Sequence, residues 1–222
     1  MKKRYIVIPI TALLVVMLAV ISAVVFTTPF MNDYVFTEIE NNYGGIKLER
    51  VQYKVTKKTD FLKGLVNRYK NAALYQNPTE EFGEEFYNDG IEYAKELMNM
   101  PVEKLKEGRG NNLLEPKEFE KMFKKSIYAS KYIPLLFLSN EQGKLQAKAE
   151  IERIVTEKDL QSFTSLAEFI SYIGENEKVT ADDKQWAMGI ALMQIDAAQE
   201  NEVLKNILTK EYSKSFGDLW AN

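Results

Sequence analysis

Residues 5–32 read YIVIPITALLVVMLAVISAVVFTTPFMN, and this stretch contains no charged side chain. About 20 apolar residues are enough for a helix to cross the hydrocarbon core of a bilayer, so the stretch is long enough to span. The three basic residues Lys2, Lys3 and Arg4 precede it. We therefore predict a transmembrane signal anchor over residues 5–31.

The main alternative for this segment is a signal peptide that is removed after export. Signal peptides have a shorter apolar region, of about 7–15 residues, followed by a cleavage site with small side chains. The nearest approach to such a site is Ile21-Ser22-Ala23, whose first side chain is bulky. An uncleaved anchor is the better interpretation, and a protein secreted after cleavage or a buried core helix remain the alternatives.

Charge sets the expected orientation of the chain in the membrane. Lysine and arginine stay on the cytoplasmic side, whereas the residues after the anchor are acidic, with Asp33, Glu38 and Glu40. We expect residues 1–4 to form a cytoplasmic tail and residues 32–58 a juxtamembrane stalk, with the anchor helix continuing to about Tyr43 and stopping at Gly44-Gly45. Residues 59–222 would form the extracytoplasmic domain.

The segment 46–56, IKLERVQYKVT, has two competing interpretations. Alternating apolar residues predict one short strand or a hairpin. A helix with Leu48, Val51 and Val55 on one face fits nearly as well. From Thr59 onward, apolar residues recur at helical spacing, which predicts an all-α or nearly all-α fold, arranged as an irregular helical bundle.

Within the bundle we expect a possible subdivision at the loop 108–112 and a kink or break at Pro134. Thr180 and Asp183 have the spacing of a helix cap. The predicted core includes five large apolar residues, namely Phe86, Phe123, Leu136, Phe169 and Trp186.

Composition excludes several classes of site. The chain has no histidine and no cysteine, which rules out Ser-His-Asp triads, Cys-His pairs and thiolate zinc sites. It also lacks the glycine-rich phosphate-binding motifs. The net charge of −3 gives no basic surface for nucleic acid. We therefore predict no catalytic residues, no cofactor and no metal ligands, and only carboxylate, tyrosine or lysine chemistry remains.

Acidic residues cluster in one region of the chain. Glu85, Asp89, Gly90 and Glu96 fall at positions 1, 5, 6 and 12 of an EF-hand-like calcium loop, but Tyr87 occupies position 3, where a carboxylate is expected. A solvated helix face explains these residues better. That acidic face comprises Glu80, Glu81, Glu84, Glu85, Asp89, Glu92 and Glu96.

Ala191-Leu192-Met193-Gln194-Ile195 resembles the G-L-M-Q segment of lysozyme-like lytic transglycosylases, which are helical enzymes that act on peptidoglycan. The resemblance implies a catalytic glutamate followed by serine upstream. In this chain Glu175 and Glu177 are followed by Asn and Lys, and Ala191 replaces the glycine. Met193 also fits the buried face of a helix, and periodicity favours that interpretation.

Two features near the anchor suggest contacts with other molecules. Ala19 and Ala23 are four residues apart with Ser22 beside them, a spacing that allows two transmembrane helices to approach closely. The basic residues that follow the anchor could contact anionic headgroups, although a solvated face is the simpler explanation. They are Lys47, Arg50, Lys54, Lys57 and Lys58.

These patterns favour a membrane-tethered extracytoplasmic helical module that binds a protein or an envelope polymer, as a scaffold or accessory subunit of a cell-envelope complex. A carboxylate enzyme acting on cell-wall glycan is one alternative, and it would need two acids flanking a cleft. A sensor subunit that signals through partner transmembrane helices is another. Homo- or hetero-association through the anchor is possible in all three.

Overall fold

The computed structural model describes residues 4–28, 42–106 and 115–217, and these ranges are helical without a strand, which confirms the all-α prediction. A π-helical turn at Tyr128–Tyr132 interrupts the α-helices. The described α-helices are α1 Arg4–Thr27, α2 Asn42–Thr56, α3 Thr59–Tyr75, α4 Pro78–Phe82, α5 Phe86–Met98, α6 Val102–Lys106, α7 Pro116–Ile127, α8 Ile133–Ser139, α9 Glu141–Thr156, α10 Leu160–Glu175, α11 Ala181–Ala197 and α12 Glu202–Phe216.

Helix α1 covers most of the long uncharged stretch and ends at Thr27, where the hydroxyl of Thr27 donates a hydrogen bond to the Ala23 carbonyl over 2.9 Å. Of this helix the structure describes the side chains of Val15–Val24 and Phe26–Thr27, and Val15, Leu18 and Ile21 are more than half exposed. Within the described part of the chain, no helix is both long enough and apolar enough to cross a membrane. The predicted continuation of the helix toward Tyr43 falls largely on residues 29–41, which lie outside the described residues.

Helix α2 replaces the strand that alternation favoured at residues 46–56, so the strand prediction is wrong. The helical alternative is correct, but its predicted face is not, since Val51 and Val55 are exposed. The buried face instead carries Ile46, Glu49 and Tyr53, which are three and four residues apart. Because a glutamate occupies the middle of this face, hydrophobic periodicity could not identify it.

A buried ion pair joins α2 to α3. Arg68 Nε lies 3.2 Å from Glu49 Oε1, and the two side chains are 8% and 3% exposed. Gly45 and Gly64 make room for it: a Cβ on Gly45 would lie 2.6 Å from Arg68 Cδ, and one on Gly64 would lie 2.9 Å from the Glu49 carboxylate oxygens. Gly44-Gly45 therefore lies inside a helix and does not end one.

The helices after α2 form where apolar residues recur at helical spacing, and Gly83 separates two of them. Helix α3 begins at Thr59, where the helical spacing of apolar residues starts, and ends at Tyr75, before Asn77-Pro78. The segment beginning near Thr79 forms two helices, because Gly83 adopts a φ of +79° that an α-helix cannot accommodate. The predicted boundary at 108–112 lies outside the described residues.

The backbone is helical through Pro134, so the chain does not break there, and the helical geometry changes just before the proline. Proline has no N–H to donate to the preceding turn, and the backbone between α7 and α8 adopts a π-helical turn at Tyr128–Tyr132. Ile133, Leu135 and Phe137 follow this turn and are almost fully buried. The segment therefore lies in the core, as its apolar composition suggests.

Three of the five predicted core residues, Phe86, Leu136 and Phe169, are buried. The other two are only half-buried, so that part of the prediction is wrong. Phe123 stacks on Phe119 at the edge of a smaller apolar cluster. Trp186 keeps its ring nitrogen at the surface, where Nε1 donates to Glu152 Oε1 over 2.8 Å.

Two further glycines, Gly143 and Gly174, lie within helices. Gly174 does not end α10, which continues to Glu175; a Cβ on Gly174 would lie 2.6 Å from Phe216 Cε1, so the glycine permits close packing of α12. Helix α9 begins before Gly143, whose N–H is capped by Asn140 Oδ1. The Thr180 cap of α11 is confirmed, since its hydroxyl oxygen accepts from Asp183 N over 3.2 Å.

Candidate functional site

A groove lies between the ends of α3 and α10. Its cavity volume is about 580 Å³, which is within the range of small-ligand and peptide sites. Three tyrosines, Tyr75, Tyr87 and Tyr172, line it together with the side chains of Gln76, Asn77 and Asn176. Glu175 and Lys178 add charge at the same groove.

Helix ends create this lining. Helix α3 ends at Tyr75 because Gln76 adopts an extended backbone, and α10 ends at Glu175 because Asn176 does the same. The amide groups that follow each helix are therefore placed beside the last tyrosine of that helix. The rings of Tyr75 and Tyr172 meet edge to face with centroids 6.1 Å apart, so the two helix ends are in direct contact.

The three tyrosines are hydrogen-bond donors at neutral pH. Burial raises the pKa of Tyr87 and of Tyr172 above the ordinary value. Burial also raises the pKa of Tyr75, and the charges of Glu168 and Glu175 raise it further. Each ring therefore offers an apolar face and a neutral O–H group.

The polar groups of the groove differ in how they are engaged. Glu175 Oε1 accepts a hydrogen bond from Ser215 Oγ over 2.7 Å, and Asn176 Oδ1 accepts from the Lys178 backbone N–H over 2.9 Å. The Lys178 ammonium forms no ion pair with any residue that the structure describes. It is therefore the available positive charge among the groove-lining residues.

A second cavity of about 210 Å³ adjoins the groove and shares Leu138, Lys178 and Val179 with it. Asp183, which is buried, lies at its wall and accepts from Lys148 Nζ over 2.6 Å, with Lys144 Nζ at 3.3 Å. Burial alone would raise the pKa of the Asp183 carboxyl, but the hydrogen bonds from Lys148 and Thr180 and the charge of Lys148 hold that pKa below its ordinary value.

The low pKa of Asp183 predicts a pH dependence of stability. A carboxyl whose folded pKa is below its unfolded value stabilises the fold above the unfolded pKa of about 3.9, and this contribution disappears as pH falls through the folded pKa. We expect Asp183→Asn to lower thermal stability at neutral pH. We also expect the variant to lose less stability than the original chain when the pH falls below about 4. Thermal unfolding between neutral and acidic pH measures both effects.

The exposed ion pair of Glu92 and Lys95, whose nitrogen and oxygen are 2.8 Å apart, supplies the control. Glu92→Gln should leave both the neutral-pH stability and the acid slope close to those of the original chain, because exposed pairs contribute little. Equal behaviour of Asp183→Asn and Glu92→Gln would contradict the assigned role of Asp183.

A third polar cluster links the π-helical turn to the neighbouring helices. Lys70, which is buried, contacts Glu168 Oε1 over 2.7 Å, and Lys131 Nζ donates to Asn67 Oδ1 over the same distance. Burial, and then the charge of Lys70, lowers the pKa of Lys131 to about 8. Burial alone would raise the pKa of Glu168, but the hydrogen bond and charge of Lys70 lower it.

The structure separates the residues of the calcium-loop pattern. They lie in or beside helix α5, where Asp89 contacts Arg50 NH2 at 3.1 Å and Glu96 accepts from the Tyr53 hydroxyl. Among the described residues, no group of three or more potential ligands is placed to hold a metal ion.

The segment Ala191–Ile195 lies in α11. Its Ala191 and Gln194 side chains are fully buried, and the Tyr212 hydroxyl donates to Gln194 Oε1. The prediction that Met193 belongs to the buried face is wrong, because this side chain is 46% exposed. The segment therefore packs against α12, and it is absent from the lining of the groove that contains Glu175.

No known protein family matches the chain, and no curated protein or solved structure matches it either.

Proposed function

We propose that the chain is a single-pass, membrane-tethered binding module whose extracytoplasmic helical domain holds a polypeptide segment of a partner protein in the groove. The module would serve as an accessory subunit of a cell-envelope complex. The observation that carries the proposal is the lining of the groove, in which two tyrosines and three amide side chains lie at the ends of α3 and α10 and Tyr87 of α5 lies beside them.

This lining suits a peptide. Tyrosines provide a large, rigid contact area at low cost in conformational entropy, and amide side chains supply adaptable hydrogen bonds to a backbone. The donor hydroxyls of the tyrosines match peptide carbonyl oxygens. Lys178 favours a segment that carries a carboxylate near the junction of the two cavities.

The geometry favours binding over glycan hydrolysis. A glycosidase needs two carboxyl groups on either side of the bond, and one of them must stay protonated as the acid. Two lysines keep Asp183 ionised, whereas a catalytic acid must be protonated. Glu175, the carboxylate of the larger cavity, is engaged by Ser215.

The membrane tether rests on the sequence of α1. The uncharged stretch of residues 5–32 is longer than the about 20 apolar residues that a spanning helix needs. Its described side chains from Val15 to Val24 are exposed, and an apolar surface of this kind is normally covered by lipid or by another protein. Lys2, Lys3 and Arg4 support a cytoplasmic N-terminus.

Site-specific photo-crosslinking in native membranes tests the proposal. A photoreactive phenylalanine at Tyr75, a half-exposed groove residue, should give one discrete protein adduct in the membrane fraction. Combining it with Tyr172→Ala and Lys178→Gln should reduce that adduct at least several-fold. The same amino acid at Val203, an exposed α12 residue outside the groove lining, is the control and should give none.

A glycan adduct, or equal adducts from positions 75 and 203, would contradict a peptide-binding groove. Protein recovered from the soluble fraction would contradict the tether.

A further inference from the structure

Side chains of α2 and of the turn that follows it bind the end of α1. Gln52 Nε2 donates to the Phe26 carbonyl oxygen over 2.6 Å, and Lys58 Nζ donates to the Thr27 carbonyl oxygen over 2.7 Å. The last carbonyl groups of a helix have no partner within the helix, so these two side chains cap α1 at its C-terminal end. The domain is therefore held against this helix end by more than the connecting chain.

The turn beside this helix end is basic. Lys57 has a φ of +53°, which reverses the chain between the two helices, and its Nζ lies 4.9 Å from the centre of the Tyr53 ring. Lys54 is exposed and forms no hydrogen bond or ion pair with the residues that the structure describes.

Two carboxylates on the neighbouring elements have partners other than the lysines of the turn. Asp60 contacts Lys63 at 3.5 Å, and Glu96 accepts from the Tyr53 hydroxyl.

Apolar and basic surfaces therefore meet at this point of the molecule. Val24 is 57% exposed at the end of α1, and the ammonium group of Lys58 lies one helical turn further along. Lysines in this position place their apolar stems against hydrocarbon and their charges among headgroups. A cluster of lysines next to a spanning helix attracts anionic lipid through its charge.

We propose that the α2–α3 turn docks on an anionic bilayer surface where α1 leaves it, with Lys54, Lys57 and Lys58 in contact with lipid headgroups. This inference rests on the membrane tether of the proposed function and adds an orientation to it. In this orientation the α2–α3 turn faces the lipid headgroups, and the domain does not rotate freely relative to the membrane.

Fluorescence quenching on the full-length protein in lipid nanodiscs tests the docking. The chain contains no cysteine, so Val55→Cys places one dye on the turn, at a side chain that is 70% exposed. Val203→Cys places the same dye on α12, which packs against α10 and α11. The quencher is a spin label on the lipid headgroup, in discs of phosphatidylcholine alone or mixed with phosphatidylglycerol.

We expect quenching at position 55 to be several-fold stronger in the anionic discs than in the neutral discs and to fall with added salt. Lys54→Gln combined with Lys57→Gln should abolish the difference between the two lipids. Lys58 is kept in this variant because it caps α1, and a circular dichroism spectrum confirms that the variant is folded. Quenching at position 203 should stay low in both lipids.

Equal quenching at position 55 in both lipids, with the protein still floating with the discs, would overturn the docking and leave the tether intact. Failure to float with the discs would overturn the tether, and the docking with it.

Discussion

Replacing Arg68 with methionine is expected to lower the free energy of unfolding by about 3–5 kcal/mol, one of the two largest effects of a single substitution that we predict. Arg68 and Glu49 form an ion pair whose side chains are 8% and 3% exposed. Methionine fills a similar volume but removes the positive charge, so the Glu49 carboxylate would lose this counter-charge inside the α2–α3 interface. Denaturant unfolding followed by circular dichroism measures the loss.

Two further variants separate the effect of charge from that of packing. Lys95→Met breaks the exposed pair with Glu92 and should cost no more than about 1 kcal/mol. Glu49→Gln together with Arg68→Met should recover most of the lost stability, because a neutral amide replaces the buried charge. If Arg68→Met cost no more than Lys95→Met, the Glu49 carboxylate would have to be accessible to water in the folded domain.

Leu136→Ala is expected to cost about 2–5 kcal/mol. Leu136 is buried in α8, directly after the π-helical turn, in the main apolar cluster. Truncation removes three buried carbon atoms, and the rigid surroundings leave a cavity. Thermal or denaturant unfolding of the variant measures the cost.

The matched control is Leu145→Ala in α9, since Leu145 is 68% exposed. This variant should change stability by less than about 0.5 kcal/mol. Similar losses for both leucines would show that Leu136 does not contribute to the core as its burial indicates.

Most helices could be predicted from the sequence because each buries an apolar stripe. Phe61, Leu65 and Tyr69 mark α3 in this way, and all three are fully buried. Helix α2 could not be predicted with the correct face, because its buried surface includes Glu49 and Gln52 and its exposed surface includes Val55. Charged side chains are usually exposed, but a charged side chain that is paired with an opposite charge on a neighbouring helix can be buried.

The groove could not be predicted from periodicity, because its lining comes from helix ends and a loop that are far apart in the chain. One signal was present in the sequence. Both Tyr75 and Tyr172 lie in the last turn of a helix and are followed within five residues by asparagine, Asn77 and Asn176. The sequence does not show that the two helix ends are in contact, so it does not identify the two patterns as parts of one site.

Helix α3 fixes the distance between the two ends of the domain. Its first residue, Thr59, follows the basic turn, and its last, Tyr75, reaches the groove, so 17 residues at about 1.5 Å each separate these ends by about 25 Å. If the turn docks on lipid as we propose and α3 stands along the membrane normal, the groove is held at one height above the lipid and can reach only partner segments at that height. Deleting one residue from the middle of α3 would lower the groove by about 1.5 Å and turn it about 100° around the helix axis. In the proposed docked arrangement, the length of this helix therefore sets the distance between the lipid surface and the groove.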